Sequence, residues 1–346
     1  MSNKAVVCCT PFDSDWRWIV EELAAPDVRW KYFSDKVKYS WQIYLQRPNL
    51  NTMMAGFRAV SYAVRHRARL LITFDARLSF WCALICRVLG IKLDHLAFSF
   101  NFAELPQGLK KRLFGFAFRQ ITHVRVHSHM ERTLYSEYFG IPTDRIEVRL
   151  CTMNVPPVSS DPPELDEPYV SAVGGNARDY QTLLETSRLM PDTPMVWVVR
   201  PENVAGFDLP PNVHVLQNIP YPKAMNVVKN SRLTVVPLKG SQVPCGHVTL
   251  ISAMLLEKAI VATDSVGISD YVIDGWNGLL CRPQDARDLA DKIRALWVDP
   301  DEADRLGENG FKFAAENCSE QSVREDMFEF FKGYGLAAEV VETQAE

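Results

Sequence analysis

The feature that most restricts the fold is a recurring unit: a short run of β-branched and aliphatic residues, a turn signal, then a stretch of helical period. In the second half the runs are YVSAVG, MVWVVR, VHVLQ, LTVVPL and AIVATD, and in the first AVVCCT, RLLITF, HLAFSF, HVRVHS and RIEVRL. Strands without polar alternation are apolar on both faces, which places them in a parallel sheet covered by helices on each side. The wiring therefore predicts an α/β protein with a doubly wound parallel sheet in each half. A length of 346 residues suits two such domains better than one core.

Between the halves lies PPVSSDPPELDEP, residues 156–168. Its prolines and acids neither pair inside a sheet nor continue a helix, so it reads as the hinge between an N-terminal lobe, 1–155, and a C-terminal lobe, 169–319. Helices are expected over about 284–297 and 301–317. Residues 320–346 form a C-terminal helix and tail, whose Met327, Phe328, Phe330 and Phe331 are expected to cover the first lobe.

Composition bounds the class. Hydrophobic residues make up 47% and charged residues 23% of the chain, as in folded soluble proteins, and no apolar run approaches the ~18 residues of a membrane span. The start, MSNKAVVCCTPF, lacks the features of a secretory signal, so a cytoplasmic protein is expected. Eight cysteines without paired CxxC spacing read as reduced thiols, and no metal site is expected. The net charge of −4 is the sum of +9 over residues 1–150 and −13 over the rest, so the first half is expected to face something anionic, such as a membrane surface or a phosphate-bearing acceptor. No recognition-helix or aromatic-basic pattern points to nucleic acid.

In open α/β sheets ligands bind beyond the carboxyl ends of the strands, so the loops there are the first candidates. After YVSAVG come Gly174, Gly175, Asn176, Ala177 and Arg178: glycines for close backbone approach, then a guanidinium able to fork onto phosphate oxygens. A tight turn with a solvent-facing arginine would give the same pattern. Arg200, at the end of MVWVVR, joins this donor-binding set. In VPLKGSQVPCGHVTLISAM, Gly246 and His247 open a helix whose amides and positive end would meet a diphosphate. Thr249 and Ser252 share one face of that helix, with Val248, Ile251 and Leu255 turned to the core. The loop TDSVGISDYVIDGWNGLL brings Asp270, a carboxylate for sugar hydroxyls, and closes on the turn-forming Asp274-Gly275 and Asn277-Gly278.

The segment GHVTLISAMLLEKAIVATDSVGISDYVIDGWNGLL resembles the donor-binding signature of GT-B glycosyltransferases, in particular the retaining group called family four or group 1. GGNARDYQTLL is similar to that family's phosphate-binding loop, and PNVHVLQNIPYPKAMNVVKNSRLTVVPL to its base-binding stretch. HVRVHSHMERTLYSEYFGIPTDRIEV resembles the last strand-helix unit of its first lobe. The likeness runs from about Leu93 to Ser319 and is strongest over Gly246–Leu280.

The resemblance implies a GT-B fold, two Rossmann-like lobes facing a central cleft, and transfer of a sugar from a nucleoside-diphosphate sugar to an acceptor. It puts Arg178 where a basic residue neutralises the leaving diphosphate, hence as the catalytic residue, and Gly246 with His247 where backbone amides meet the phosphates. Ser252 stands where the family has its ribose-binding glutamate and Pro244 where the partner glutamate touches the sugar, so both acids are replaced. Lys258 matches a structural lysine. In the first lobe Asn101 and Phe102 stand where relatives often have a histidine near the sugar, which makes Asn101 the acceptor-side candidate.

Two further patterns belong to the first half. Asp13-Ser14-Asp15 has DxD spacing but reads as a solvated or helix-capping loop. LPQGLKKRLFGFAFRQ mixes Lys110, Lys111 and Arg112 with Leu113, Phe114, Phe116 and Phe118, as an interfacial helix would, and Arg65, His66, Arg67 and Arg69 extend the cationic surface. The expected protein is a metal-independent, cofactor-free, retaining glycosyltransferase, peripheral on the inner membrane face and using a lipid-linked or growing saccharide acceptor. A 2-epimerase-like enzyme of the same fold, or a non-catalytic sugar-nucleotide-binding subunit, is the alternative.

Overall fold

A computed structural model describes residues 5–9, 23–34, 48–102, 104–240 and 245–337. The chain divides into two compact units, Met1–Arg149 with Val323–Glu346, and Leu150–Ser322. The expected hinge, 156–168, lies within the second unit: Ser159 donates to Pro222 O (3.0 Å) and Asn226 Nδ2 to Asp161 O (2.8 Å). Val158 and Leu165 pack on that unit's core, which holds the segment although its prolines bar regular structure.

The first unit has strands β1 (Ala5–Cys9), β2 (Arg29–Phe33), β3 (Leu70–Thr73), β4 (His95–Ala97), β5 (His123–Val126) and β6 (Ile146–Val148). They form one sheet in the order β2-β1-β3-β4-β5-β6, every pairing parallel. Helices α1 (Pro48–Arg65), α2 (Ala76–Val88), α3 (Gly108–Phe118) and α4 (His129–Phe139) connect the strands. Local signals set their ends: Asp75 accepts from the amides of Arg77 and Leu78 at the start of α2, and Ser128 accepts from Glu131 N at the start of α4. Gly140 ends α4 in the left-handed region, at φ +69°.

The second unit repeats the scheme with β7 (Val170–Val173), β8 (Met195–Val199), β9 (Val213–Gln217), β10 (Leu233–Val236), β11 (Ala259–Thr263) and β12 (Leu279–Cys281). The order is β12-β11-β10-β7-β8-β9, again all parallel. Its helices are α5 (Tyr180–Arg188), α6 (Tyr221–Asn230), α7 (His247–Leu255), α8 (Ala286–Val298) and α9 (Pro300–Asn317). Every residue of β7, β8, β10 and β11 is buried, as strands covered on both faces must be. The last helix, α10 (Glu320–Gly333), buries Met327 and Phe331 in the first unit's core.

Candidate donor-binding site

The parallel wiring brings four loops to the carboxyl edge of the second sheet, after β7, β8, β10 and β11, and the predicted donor residues fall on them. The β7 loop is tied down first. Asp179 N donates to Pro237 O and Lys239 N to Ala177 O, both at 3.0 Å, so the loop lies along the end of β10. Gly174 sits at φ +121°, and a Cβ there would stand 2.7 Å from Arg178 Nη2. At Gly175 a Cβ would stand 2.8 Å from Arg200 Cδ. Gly174 is thus required by its φ and by the buried Arg178 packed against it, whereas at Gly175 the exposed Arg200 side chain can give way. Asn203 closes the group: its Oδ1 accepts from Arg200 N and its Nδ2 donates to Gly175 O, each at 3.0 Å.

Arg178 is buried rather than solvent-facing, at 6% exposure. Nη2 donates to Thr249 Oγ1 (2.8 Å), Nη1 to Asn176 O (3.0 Å) and Nε to Val173 O (3.4 Å). Burial pushes its pKa down, yet a guanidinium starts so high that it stays charged. The arrangement fixes a positive charge under the glycine loop and couples it to α7 through Thr249. Asn176 and Arg200 are the exposed members of the set.

Gly246 is the N-cap of α7, at φ +96°, and offers no side chain to cap the helix's first amides. A Cβ there would lie 3.2 Å from Leu238 Cδ2, so conformation and packing both select glycine. The His247 ring stacks on Tyr271 with centroids 4.5 Å apart. Leu250, Ile251 and Met254 carry the helix into the core, whereas Val248, expected to point inward, is 53% exposed because it falls on the opposite face.

Ser252 is fully buried. Its hydroxyl is bonded to Val248 O (2.6 Å) and lies 2.9 Å from the Tyr221 hydroxyl. Tyr221, which the sequence did not single out, is the exposed partner at that point. Asp270 is half-buried in the loop after β11. Asn277 is a turn-holder: Oδ1 accepts from Ile273 N (2.7 Å) and Nδ2 donates to Tyr271 O (2.9 Å). Pro244 and Asp13-Ser14-Asp15 lie outside the described residues. Among the described residues no three His, Cys, Asp or Glu side chains cluster as a metal site requires.

In the first unit Asn101 is exposed beyond the carboxyl end of β4. A pair that sequence reasoning missed stands at the same sheet edge: His127 Nδ1 donates to Arg149 O and His127 Nε2 meets Ser99 Oγ, both at 3.1 Å. The only signal was its place just after the HVRV strand. On α3, Lys110 and Arg112 are exposed, while Lys111 is half-buried with its ammonium 3.8 Å from the Tyr138 ring centroid. Phe118 is core, but Leu109 (81% exposed), Leu113 and Phe116 remain on the surface.

Residues 202–313 match the family model described as "Glycosyl transferases group 1". The chain is 36% identical over 73 residues to an uncharacterized glycosyltransferase, MJ1178, of Methanocaldococcus jannaschii, a stretch covering 21% of each chain. With a second such relative the chain spans 32% of the other's length, so it covers about a fifth to a third of the curated relatives it matches. Among solved structures it superposes on sucrose-phosphate synthase from Thermosynechococcus elongatus with a TM-score of 0.70 at 16% identity, over 96% of this chain and 99% of the other. HepE of Anabaena, solved in complex with UDP, gives a TM-score of 0.70 at 14% identity over 95% of this chain and 100% of the other. The fold is therefore that of the GT-B glycosyltransferases, and the resemblance to group 1 read from the sequence is borne out.

Proposed function

We propose that the chain is a glycosyltransferase that takes a sugar from a nucleoside-diphosphate sugar held by the second unit. One observation carries the reading: at a single sheet edge the N-terminus of α7, whose N-cap Gly246 supplies no capping side chain, lies beside a loop under which Arg178 is fixed and bonded to Thr249. Cleavage of an anomeric bond leaves charge on the departing diphosphate, and preformed positive groups there lower the barrier without a metal. Thr249 and the backbone carbonyls hold the Arg178 guanidinium in place before substrate arrives, so little reorganisation accompanies charge development. Asn176 and Arg200 are the exposed groups assigned to the phosphates or sugar, and Asp270 to sugar hydroxyls. In this scheme the diphosphate assists attack on its own face, which makes the outcome retaining.

The acceptor is assigned as a saccharide, lipid-linked or growing, approached from the Asn101 side. Peripheral attachment to an anionic membrane surface through α3 fits its exposed Leu109, Leu113 and Phe116 beside Lys110 and Arg112. No helix among the described residues is long and apolar enough to cross a membrane. Because HepE was solved with UDP, UDP-sugars are the first donors to test. Incubation of the full chain with a panel of UDP-sugars should release UDP at a rate that Arg178→Ala lowers. No release from any donor, with UDP still bound, would replace the transferase reading by a non-catalytic binding subunit.

A further inference from the structure

The first unit has a second charged feature at the amino ends of its strands, where the segments leading into β3, β4, β5 and β6 converge. Arg69 precedes β3, Lys92 precedes β4, Arg145 precedes β6, and Arg87 and Arg119 come from the ends of α2 and α3. Together they line a basin of about 620 Å³ in which Asp94 is the one carboxylate.

Among the described residues no carboxylate lies within ion-pair distance of any of the five cations. Arg69 donates to Tyr334 O (2.8 Å), Arg145 to Arg119 O (3.2 Å) and Ile121 O (3.3 Å), and Arg87 lies over the Phe116 ring. Helix C-termini account for Arg87 and Arg119, since cations complement the negative end of the dipole. Arg69 and Lys92 lie in loops and gain nothing of that kind. Five cations around one concave surface repel one another, and an anion bearing several oxygens relieves that repulsion while accepting forked hydrogen bonds.

We infer that this basin is a binding site for a phosphate-bearing anion, separate from the donor site and independent of the transferase reading. Two sources supply that chemistry, a soluble phosphate ester and a phospholipid headgroup. The second has a structural neighbour in its favour: the last turn of α2 that provides Arg87 also provides Val88, which lines an apolar groove with Met54 and Phe57.

The test is calorimetric titration with inorganic phosphate at low ionic strength, carried out on the full chain saturated with UDP so that the donor-site amides are occupied. The triple variant Arg87→Gln, Lys92→Gln, Arg119→Gln should bind at least ~10-fold more weakly. A control with Lys229→Gln, Arg287→Gln and Lys312→Gln, the same charge change among exposed residues of the second unit, should titrate like wild type. Equal weakening in both variants, or in neither, overturns the site. Should the triple variant unfold early, Lys92→Gln alone is compared with Lys229→Gln under the same criterion. Co-sedimentation with phosphatidylcholine vesicles, with and without phosphatidic acid, separates the sources. Basin-dependent sedimentation on the anionic vesicles identifies the headgroup, whereas basin-independent sedimentation with lost phosphate binding identifies the soluble ester.

Discussion

Gly174 and Arg178 are mutually dependent, because the guanidinium occupies the space a side chain at Gly174 would need. Gly174→Ala places a methyl 2.7 Å from Arg178 Nη2 and also forces an alanine to φ +121°. It is expected to cost roughly 1–3 kcal/mol of stability and to slow donor turnover as Arg178→Ala does. Denaturant unfolding and UDP release, measured on both variants, check this. Ser252→Ala removes a hydroxyl bonded to Val248 O and Tyr221. Its expected cost in stability is about 1–3 kcal/mol, two neutral hydrogen bonds, with a smaller effect on diphosphate binding. The nearness of Gly174, Gly175 and Arg178 was legible as a spacing. That Arg178 is buried was not, since Thr249 lies 71 residues away in sequence. The same is true of Asn203, Tyr221 and the His127–Ser99 pair, which owe their places to contacts between distant segments.

Strands differ in how clearly the sequence announces them. Fully buried β8 and β11 read as unbroken apolar runs. The edge strand β2, RWKYF, carries polar residues and has no buried position, and β12 buries only Cys281, so neither stood out. In β4, His95 is buried with Nε2 2.9 Å from Thr73 Oγ1, and burial pushes its pKa down to about 3. The unfolded chain takes up that proton near pH 6.5 while the native one does not. Its contribution is complete above about pH 6.5 and is lost as pH falls toward 3, at up to about 1.4 kcal/mol per pH unit. His95→Asn should therefore show a flatter fall in stability over that window, followed by urea unfolding at several pH values. Helix α10 is held by charge as well as by Met327 and Phe331: Asp326 lies 2.6 Å from the buried Arg125 guanidinium. Asp326→Ala would leave that cation with Glu147 at 3.6 Å as its remaining carboxylate and is expected to cost about 1.5–3 kcal/mol, one charged hydrogen bond, read as a lowered urea midpoint.

Across the whole molecule, two parallel six-stranded sheets follow from the strand runs of each half. The boundary was less legible, because a proline-rich stretch marks where regular structure stops and says nothing about which core it packs on. The charge asymmetry has a structural counterpart in the basin at the amino ends of β3, β4 and β6. The proposed donor site, by contrast, consists of backbone amides and one buried arginine, with a serine at position 252 where the family has a carboxylate. Against the expectation, the Ser252 hydroxyl is fully buried and bonded to Val248 O and Tyr221, so it offers a ribose nothing and recognition should concentrate on the diphosphate. The most direct measurement is calorimetric titration of the full chain with UDP and with uridine. UDP should bind at least ~100-fold more tightly than uridine, a difference of about 2.7 kcal/mol, and Gly246→Ala should erode most of that margin. Uridine binding as tightly as UDP would contradict a phosphate-centred site at the start of α7.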